Sequence, residues 1–133
     1  AAQRCLELMC ARAQERVAFG EPLIKKTSVQ HEIARCRCDI EQSRLLTFQA
    51  AHVMDTQGMN AARPYISMVK IVAPNMAQQV ADRAMQVLGG MGVSQDTLIP
   101  HVFTLARFSR IADGPDEVHM SQLGKLTARE INS

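Results

Sequence analysis

The stretch that decides the fold is "KIVAPNMAQQVADRAMQVLGGMG", residues 70–92. Between Lys70 and Leu88 the apolar residues Ile71, Val72, Met76, Val80, Val87 and Leu88, with four alanines among them, fall on nearly every side of a helix. A helix that is apolar all round is a central one, covered by neighbours. The pattern predicts a long third helix from about Ala61 to Leu88. Pro74 falls in its middle and is expected to kink or divide it, because proline lacks the N–H and clashes one turn back. Gly89-Gly90 then reads as a left-handed glycine cap.

Working outward, the rest of the chain has the same period. The segment Ala1 to Phe19 places apolar residues at Ala2, Cys5, Leu6, Met9, Ala13 and Val17, and Gly20 then Pro22 stop it. A second segment, Thr27 to Gly58, opens with Thr27-x-x-Gln30, a capping-box pattern. Its seam runs through Val29, Ile33, Cys36 and Ile40, carries Ser43 and Thr47, and recovers at Ala50 and Met54; Leu45, Leu46 and Phe48 form a second face. "GGMGVSQDTLIP" (89–100) reads as a loop and "HVFTLARFSRIA" (101–112) as a short fourth helix. Pro115, after Gly114, opens a fifth helix at its first position, running to about Arg129.

Strand alternation is missing throughout. Tryptophan is absent, there is one tyrosine, and alanine and methionine are plentiful, which suits helices and leaves little for a sheet. The expected fold class is therefore all-α, an up-and-down helical bundle of three long and two shorter helices. One domain over residues 1–133 is expected, since a chain this long buries roughly 65–70 % of its unfolded surface. The opening without Met, in what reads as mid-helix, leads to the expectation of a fragment of a longer chain.

Fifteen Lys and Arg face thirteen Asp and Glu, a net charge of +2. That balance, with no basic run and no aromatic platform, argues against nucleic acid. No apolar run approaches the eighteen residues of a membrane span, and neither a membrane span nor secretion is expected from this stretch. Cys5, Cys10, Cys36 and Cys38 have spacings that match no common zinc pattern. On a helix Cys36 and Cys38 point about 200° apart. They read as reduced, core-packing thiols of an intracellular protein, and no metal site is expected.

Three segments are more specific than a bundle requires. In "RVAFGEPL" (16–23) and "TSVQ" (27–30), a helix end, a turn and a new cap account for Gly20, Pro22, Thr27 and Gln30. The functional alternative is that Arg16, fixed at a helix end, offers its planar fork to a phosphate. In "MQVLGGMG" (85–92) a helix cap again suffices; no strand precedes it, so it is not the dinucleotide fingerprint. A helix C-terminus disfavours anions, so a phosphate there needs an added cation, while the two glycines permit close approach of a flat ligand. In "RIADGPDEVH" (110–119) a turn, a proline and dipole-favoured acids explain the pattern, with a carboxylate base at Asp113 as the alternative. Of the scattered His31, His52, His101 and His119, the last lies near these acids.

In this order and at these separations the segments resemble the C-terminal helical domain of the acyl-CoA dehydrogenase family. Arg16-x-x-Phe19-Gly20-x-x-Leu23 is similar to the family's R-x-x-F-G-x-x-L, and Gln86 to Gly92 to its Q-x-x-G-G-x-G. Lys70 stands where the family often has "AK", and "ADGPDEV" (112–118) occupies the place of "YEGTSEI". The form "ADGPDEVH" most resembles the subgroup called acyl-CoA dehydrogenase family members ten and eleven. The likeness covers essentially the whole chain.

The resemblance implies a flavin-dependent α,β-dehydrogenation of a fatty acyl-CoA to the trans-2-enoyl-CoA, with FAD as cofactor. Asp113 would be the base that removes the α-proton while the β-hydrogen leaves as hydride to flavin N5; Gly114 would lie against the thioester. Arg16 and Phe19, with Thr27 and Gln30, would reach the FAD pyrophosphate and adenine, often of the neighbouring subunit. Gln86, Val87, Leu88, Gly89 and Gly90 would pack against that nucleotide. Pro115, Asp116 and Glu117 would face the flavin side.

It further implies a homo-oligomer, dimer or tetramer, with an electron-transfer flavoprotein as electron acceptor. The expected location is the mitochondrion, with peroxisome or bacterial cytoplasm as alternatives. The chain is expected to supply the base and half of a flavin site, and to be inactive alone.

The sequence also departs from the family. Asp in place of Glu shortens the reach by one methylene, about 1.5 Å. Pro115 replaces a threonine and has neither hydroxyl nor N–H to offer the flavin. Thr27 stands where the family has glutamine, and Gln30 is expected to take only part of that role. Two other classes stay open: an acyl-CoA oxidase of the same architecture, and a non-catalytic helical interaction module.

Overall fold

The structure, a computed structural model, describes residues 1–132. Five helices make up the bundle: α1 (Ala2–Glu15), α2 (Thr27–Gln57), α3 (Met59–Leu88), α4 (Ile99–Ser109) and α5 (Asp116–Ile131). As the apolar pattern of residues 70–92 requires, α3 is the central one and packs against each of the other four helices. The core is built from Cys5, Leu6 and Met9 of α1, Cys36 and Ile40 of α2, Val80, Ala81, Ala84 and Leu88 of α3, and Ile99 and Val102 of α4. Ala81 and Ala84 have no exposed surface; small side chains there let neighbouring helices approach α3 closely, and a void at such a site costs roughly 2–5 kcal/mol when made by truncating a large neighbour.

α2 and α3 are joined through Gly58 alone, at φ +83°, and run antiparallel. Arg83 near the end of α3 pairs with Glu32 and Asp39 in the first half of α2. At the other end Thr47, Ala50 and Met54 face Ile66, Val69 and Lys70.

The structure differs from the sequence expectation in several details. α1 ends at Glu15, not Phe19, because residues 17–22 form a short hairpin, β1 (Val17–Ala18) against β2 (Glu21–Pro22), with Val17 opposite Pro22. Phe19 (φ 56°) and Gly20 (φ 83°) are its two loop residues. Positive φ at both is what a two-residue type I′ hairpin turn demands, and four residues are too few for alternation to be visible. The Thr27–Gln30 capping box does not form: Lys26 is the N-cap, and Gln30 Nε2 donates instead to Ile24 O at 2.9 Å. Of the two outcomes expected at Pro74, a kink or a division, division does not occur: α3 runs unbroken through Pro64 and Pro74. Finally α4 starts at Ile99, with Pro100 in its first turn, and stops at Ser109, while Pro115 is the N-cap of α5 rather than its first residue.

All four cysteines are free. Burial pushes the thiols of Cys5, Cys10 and Cys36 up, away from the thiolate form that reacts or binds metal. Among the described residues no three His, Cys, Asp or Glu come together as a metal site, and no helix is long and apolar enough to cross a membrane. The second face of α2 is uncovered: Leu45 is 66 % and Phe48 64 % exposed.

Candidate functional site

The turn between α4 and α5 carries the acids of residues 110–119, and it is tied at its neck. Asp116 N–H donates to Arg110 O at 3.1 Å, and Arg110 Nε donates to Asp116 Oδ2 at 2.8 Å. Asn75 Nδ2 adds a bond to the same carboxylate oxygen at 3.1 Å, and Arg110 Nη1 reaches Gln78 Oε1 at 3.0 Å. Asp116 is buried, which opposes its charge. The bonds from Arg110 and Asn75, with the charges of Arg110 and Lys70, outweigh that and hold its carboxyl below the usual range. From α3, Lys70 Nζ donates to both Ser109 O and Ala112 O at 2.6 Å. Ser109 O is one of the carbonyls that the last turn of α4 leaves without a helical partner, and Ala112 O lies three residues beyond it in the turn.

Asp113 sits at the tip of this turn, exposed, at φ 53°. Gly114 follows at φ +92°, a backbone conformation that favours glycine, and a Cβ there would press on His119 Nε2 at 3.1 Å. His119 Nε2 lies 3.3 Å from Asp113 O, while its buried Nδ1 has no partner among the described residues. Pro115 and Glu117 are exposed.

The other sequence candidates gather elsewhere. Arg16 follows α1, its carbonyl accepting Leu23 N–H at 2.9 Å, and its exposed guanidinium enters no ion pair among the described residues. Phe19 is 95 % exposed, with Lys26 Nζ 5.9 Å from its ring centre. Thr27 and Gln30 are exposed in the first turn of α2. Gln86 lies about one turn beyond Arg83, and so at the level where α2 begins; with Gly89 it lines an open cleft of about 330 Å³. A Cβ on Gly89 or Gly90 would meet nothing within 4 Å, which leaves their backbone open to a flat ligand. Gly92 is different: a Cβ there would come within 2.7 Å of Met85 Cα, so it serves the packing of residues 89–93 on α3.

Two sets of candidates thus emerge, one around Asp113 and one toward the end where α2 begins, where the hairpin and the Gly89 cleft lie without a shared lining residue. Lys70 and Gln86 mark their levels on α3, sixteen residues or about 24 Å apart. Among the described residues the two non-glycines with positive φ are Phe19 and Asp113, one in each group. A phenylalanine in that region is a costly outlier, and such strain concentrates at functional sites.

The family model "Acyl-CoA dehydrogenase, C-terminal domain" matches residues 1–127. The chain belongs to the acyl-CoA dehydrogenase family. It is 48 % identical over 129 residues to acyl-CoA dehydrogenase family member 11 of Rattus norvegicus, covering 97 % of this chain and 17 % of that protein. Family member 10 of Mus musculus is 46 % identical over 124 residues, 93 % of this chain and 12 % of that protein. A candidate acyl-CoA dehydrogenase from Mycobacterium abscessus superposes with a TM-score of 0.95 at 42 % identity, covering 98 % of this chain and 32 % of that one. The chain therefore spans less than a fifth of the mammalian relatives and about a third of the solved structure.

Acyl-CoA dehydrogenases are flavoprotein oxidoreductases, and the helical architecture is that of their C-terminal domain. Within this acyl-CoA dehydrogenase domain, two expected contacts change character. Leu88 is 4 % exposed and its side chain belongs to the core. Asp116 commits both its carboxylate and its N–H to the neck of the turn. Sequence reading missed Arg110, Asn75 and Gln78 as partners of the turn, and assigned Lys70 no contact. The available signal was the Arg110–Asp116 pair, opposite charges flanking a Gly-Pro turn.

Proposed function

We propose that the chain is the part of a flavin-dependent acyl-CoA dehydrogenase that supplies the base for α,β-dehydrogenation of a fatty acyl-CoA. The observation that carries this reading is the sorting of the three acids. Asp116 is spent on Arg110, Glu117 lies on the helix, and Asp113 stands exposed at a left-handed tip with its carboxylate uncommitted among the described residues. Asp113 would take the proton α to the thioester, with the Gly114 backbone lying against the thioester beside it. Such a base works in a dry site; Asp113 is open to solvent here, so the acyl chain and the remainder of the enzyme would complete the enclosure.

The second group fits an FAD nucleotide. Gly89 and Gly90 offer unobstructed backbone at the C-terminus of α3, where the dipole repels anions, and Arg16 offers the cation that corrects this. Phe19 presents an exposed ring, with Lys26 over it, and Gln86, Thr27 and Gln30 lie toward the same end. When bound, the flavin accepts the hydrogen from the β-carbon. The distance along α3 favours two different flavins, one beside Asp113 and another, held by the neighbouring subunit, beside Arg16. The uncovered Leu45 and Phe48 also favour a homo-oligomer, dimer or tetramer. Electrons would pass on to an electron-transfer flavoprotein. In a eukaryotic cell the proposed location is the mitochondrion.

The test is Asp113→Asn in the complete enzyme. FAD stays bound, and reduction of the flavin by acyl-CoA falls by at least the ~10²–10⁴-fold typical of a positioned base. Flavin bleaching at the normal rate would refute the assignment.

A further inference from the structure

We propose that Lys70 and the Arg110–Asp116 pair are positioning residues that mount the α4–α5 turn rigidly on α3 and so fix the backbone from which Asp113 acts. The inference rests on the reading of Asp113 as the base and goes beyond it.

Residues 110 and 116 are tied through backbone and side chain together, at 3.1 and 2.8 Å. Asp113 is three residues from each, at the middle of the closed loop. The loop is then fastened to α3 along one short stretch. Lys70 gathers Ser109 O and Ala112 O, Asn75 holds Asp116, and Gln78 accepts from Arg110. From the α5 side, His119 lies under Gly114 and beside Asp113 O. Two carbonyls could be satisfied by water. A half-buried ammonium brought from a helix 39 and 42 residues away does more, because it holds the end of α4 at a fixed place against α3.

The need for such a mount follows from the residue at the tip. Aspartate has one rotatable bond fewer than glutamate and a shorter reach, so side-chain torsions cannot make up for a displaced Cα. The position of the carboxylate is set by the backbone, and misplacement by 1 Å can cost about 10²-fold in rate.

The experiment uses the full-length enzyme with FAD, and whichever of butyryl-, octanoyl- and palmitoyl-CoA reduces the wild-type flavin fastest. Lys70→Met is expected to slow anaerobic flavin reduction at saturating substrate by about 10²-fold. Acyl-CoA affinity should be little changed, and amide exchange across residues 109–116 should quicken. Lys70→Arg, which keeps donors for both carbonyls, recovers most of the rate; if Lys70→Met folds poorly, Lys70→Gln is read in the same way. Arg83→Met, which cuts the ties to Glu32 and Asp39 and none of the bonds that hold the turn, is the stability control and should lower the melting temperature without slowing flavin reduction. Wild-type reduction rates in Lys70→Met overturn the proposal, as does an equal rate loss in Arg83→Met. Asp113→Asn is measured alongside. If it reduces flavin normally, the base assignment falls and the mount with it; if it is dead while Lys70→Met is normal, only the mount falls.

Discussion

Arg110 and Asp116 hold each other twice, backbone to backbone at 3.1 Å and side chain to side chain at 2.8 Å, with Asp113 midway between them. The pair makes the turn a closed ring, so the two acids of this stretch divide their tasks. Asp116 shapes the ring, and Asp113 is what the ring presents.

This pairing has a pH signature. The folded-state pKa of Asp116 is lowered, so its contribution to stability is fully present above the unfolded value of about 3.9 and is lost as pH falls through the lower folded value. In Asp116→Asn the loss of stability on acidification below about pH 4 should be shallower than in wild type. Asp116→Ala leaves Arg110 with only Gln78 and should cost about 2 kcal/mol at neutral pH, since a partly buried partner is left unpaired. Urea titrations at several pH values check both; an unchanged acid limb would show that the pair carries no folding free energy.

The glycines of residues 89–92 should separate cleanly. Gly92→Ala forces a Cβ within 2.7 Å of Met85 backbone and should destabilise the fold by about 1–3 kcal/mol through overpacking. Gly90→Ala meets no atom within 4 Å, so the melting temperature should hold while FAD affinity in the complete enzyme falls. Equal effects of the two substitutions on stability would contradict this division.

Phe19 should behave as a residue kept for its contacts with another molecule. With 95 % of its surface exposed it adds little to the fold, and its φ of 56° costs it. Phe19→Gly should therefore stabilise the domain by roughly 1 kcal/mol, and yet weaken FAD retention in the full enzyme. Thermal melts and flavin content after gel filtration would report the two effects separately.

The bundle was legible because helical periodicity survives nearly everywhere, and α3, apolar all round, could only be central. The hairpin of residues 17–22 was not, since a two-residue strand has no period to read and its turn is signalled by Phe19-Gly20 rather than by a common Asn-Gly pair. The Thr27–Gln30 cap failed for a local reason: Gln30 found a carbonyl in the preceding turn, at Ile24. For the site, the segments around Arg16, Gly89 and Asp113 were found through their resemblance to a family, while each alone was explained by helix ends. The anchors of the Asp113 turn were hidden, because Lys70, Asn75 and Gln78 meet it across 32 to 42 residues of chain and no periodicity encodes such contacts.

The roughly 24 Å of α3 that separate Lys70 from Gln86 bear on inheritance as well as on chemistry. If one flavin lies between two subunits, an Asp113→Asn chain and an Arg16→Ala chain are each defective but broken at opposite ends. Co-expressed, they would form mixed dimers in which one active centre draws its base from the second chain and its nucleotide grip from the first, and so escapes both lesions. Intragenic complementation between two null alleles is the expected outcome, whereas a flavin held wholly within one chain would give mixed dimers as inert as their parents.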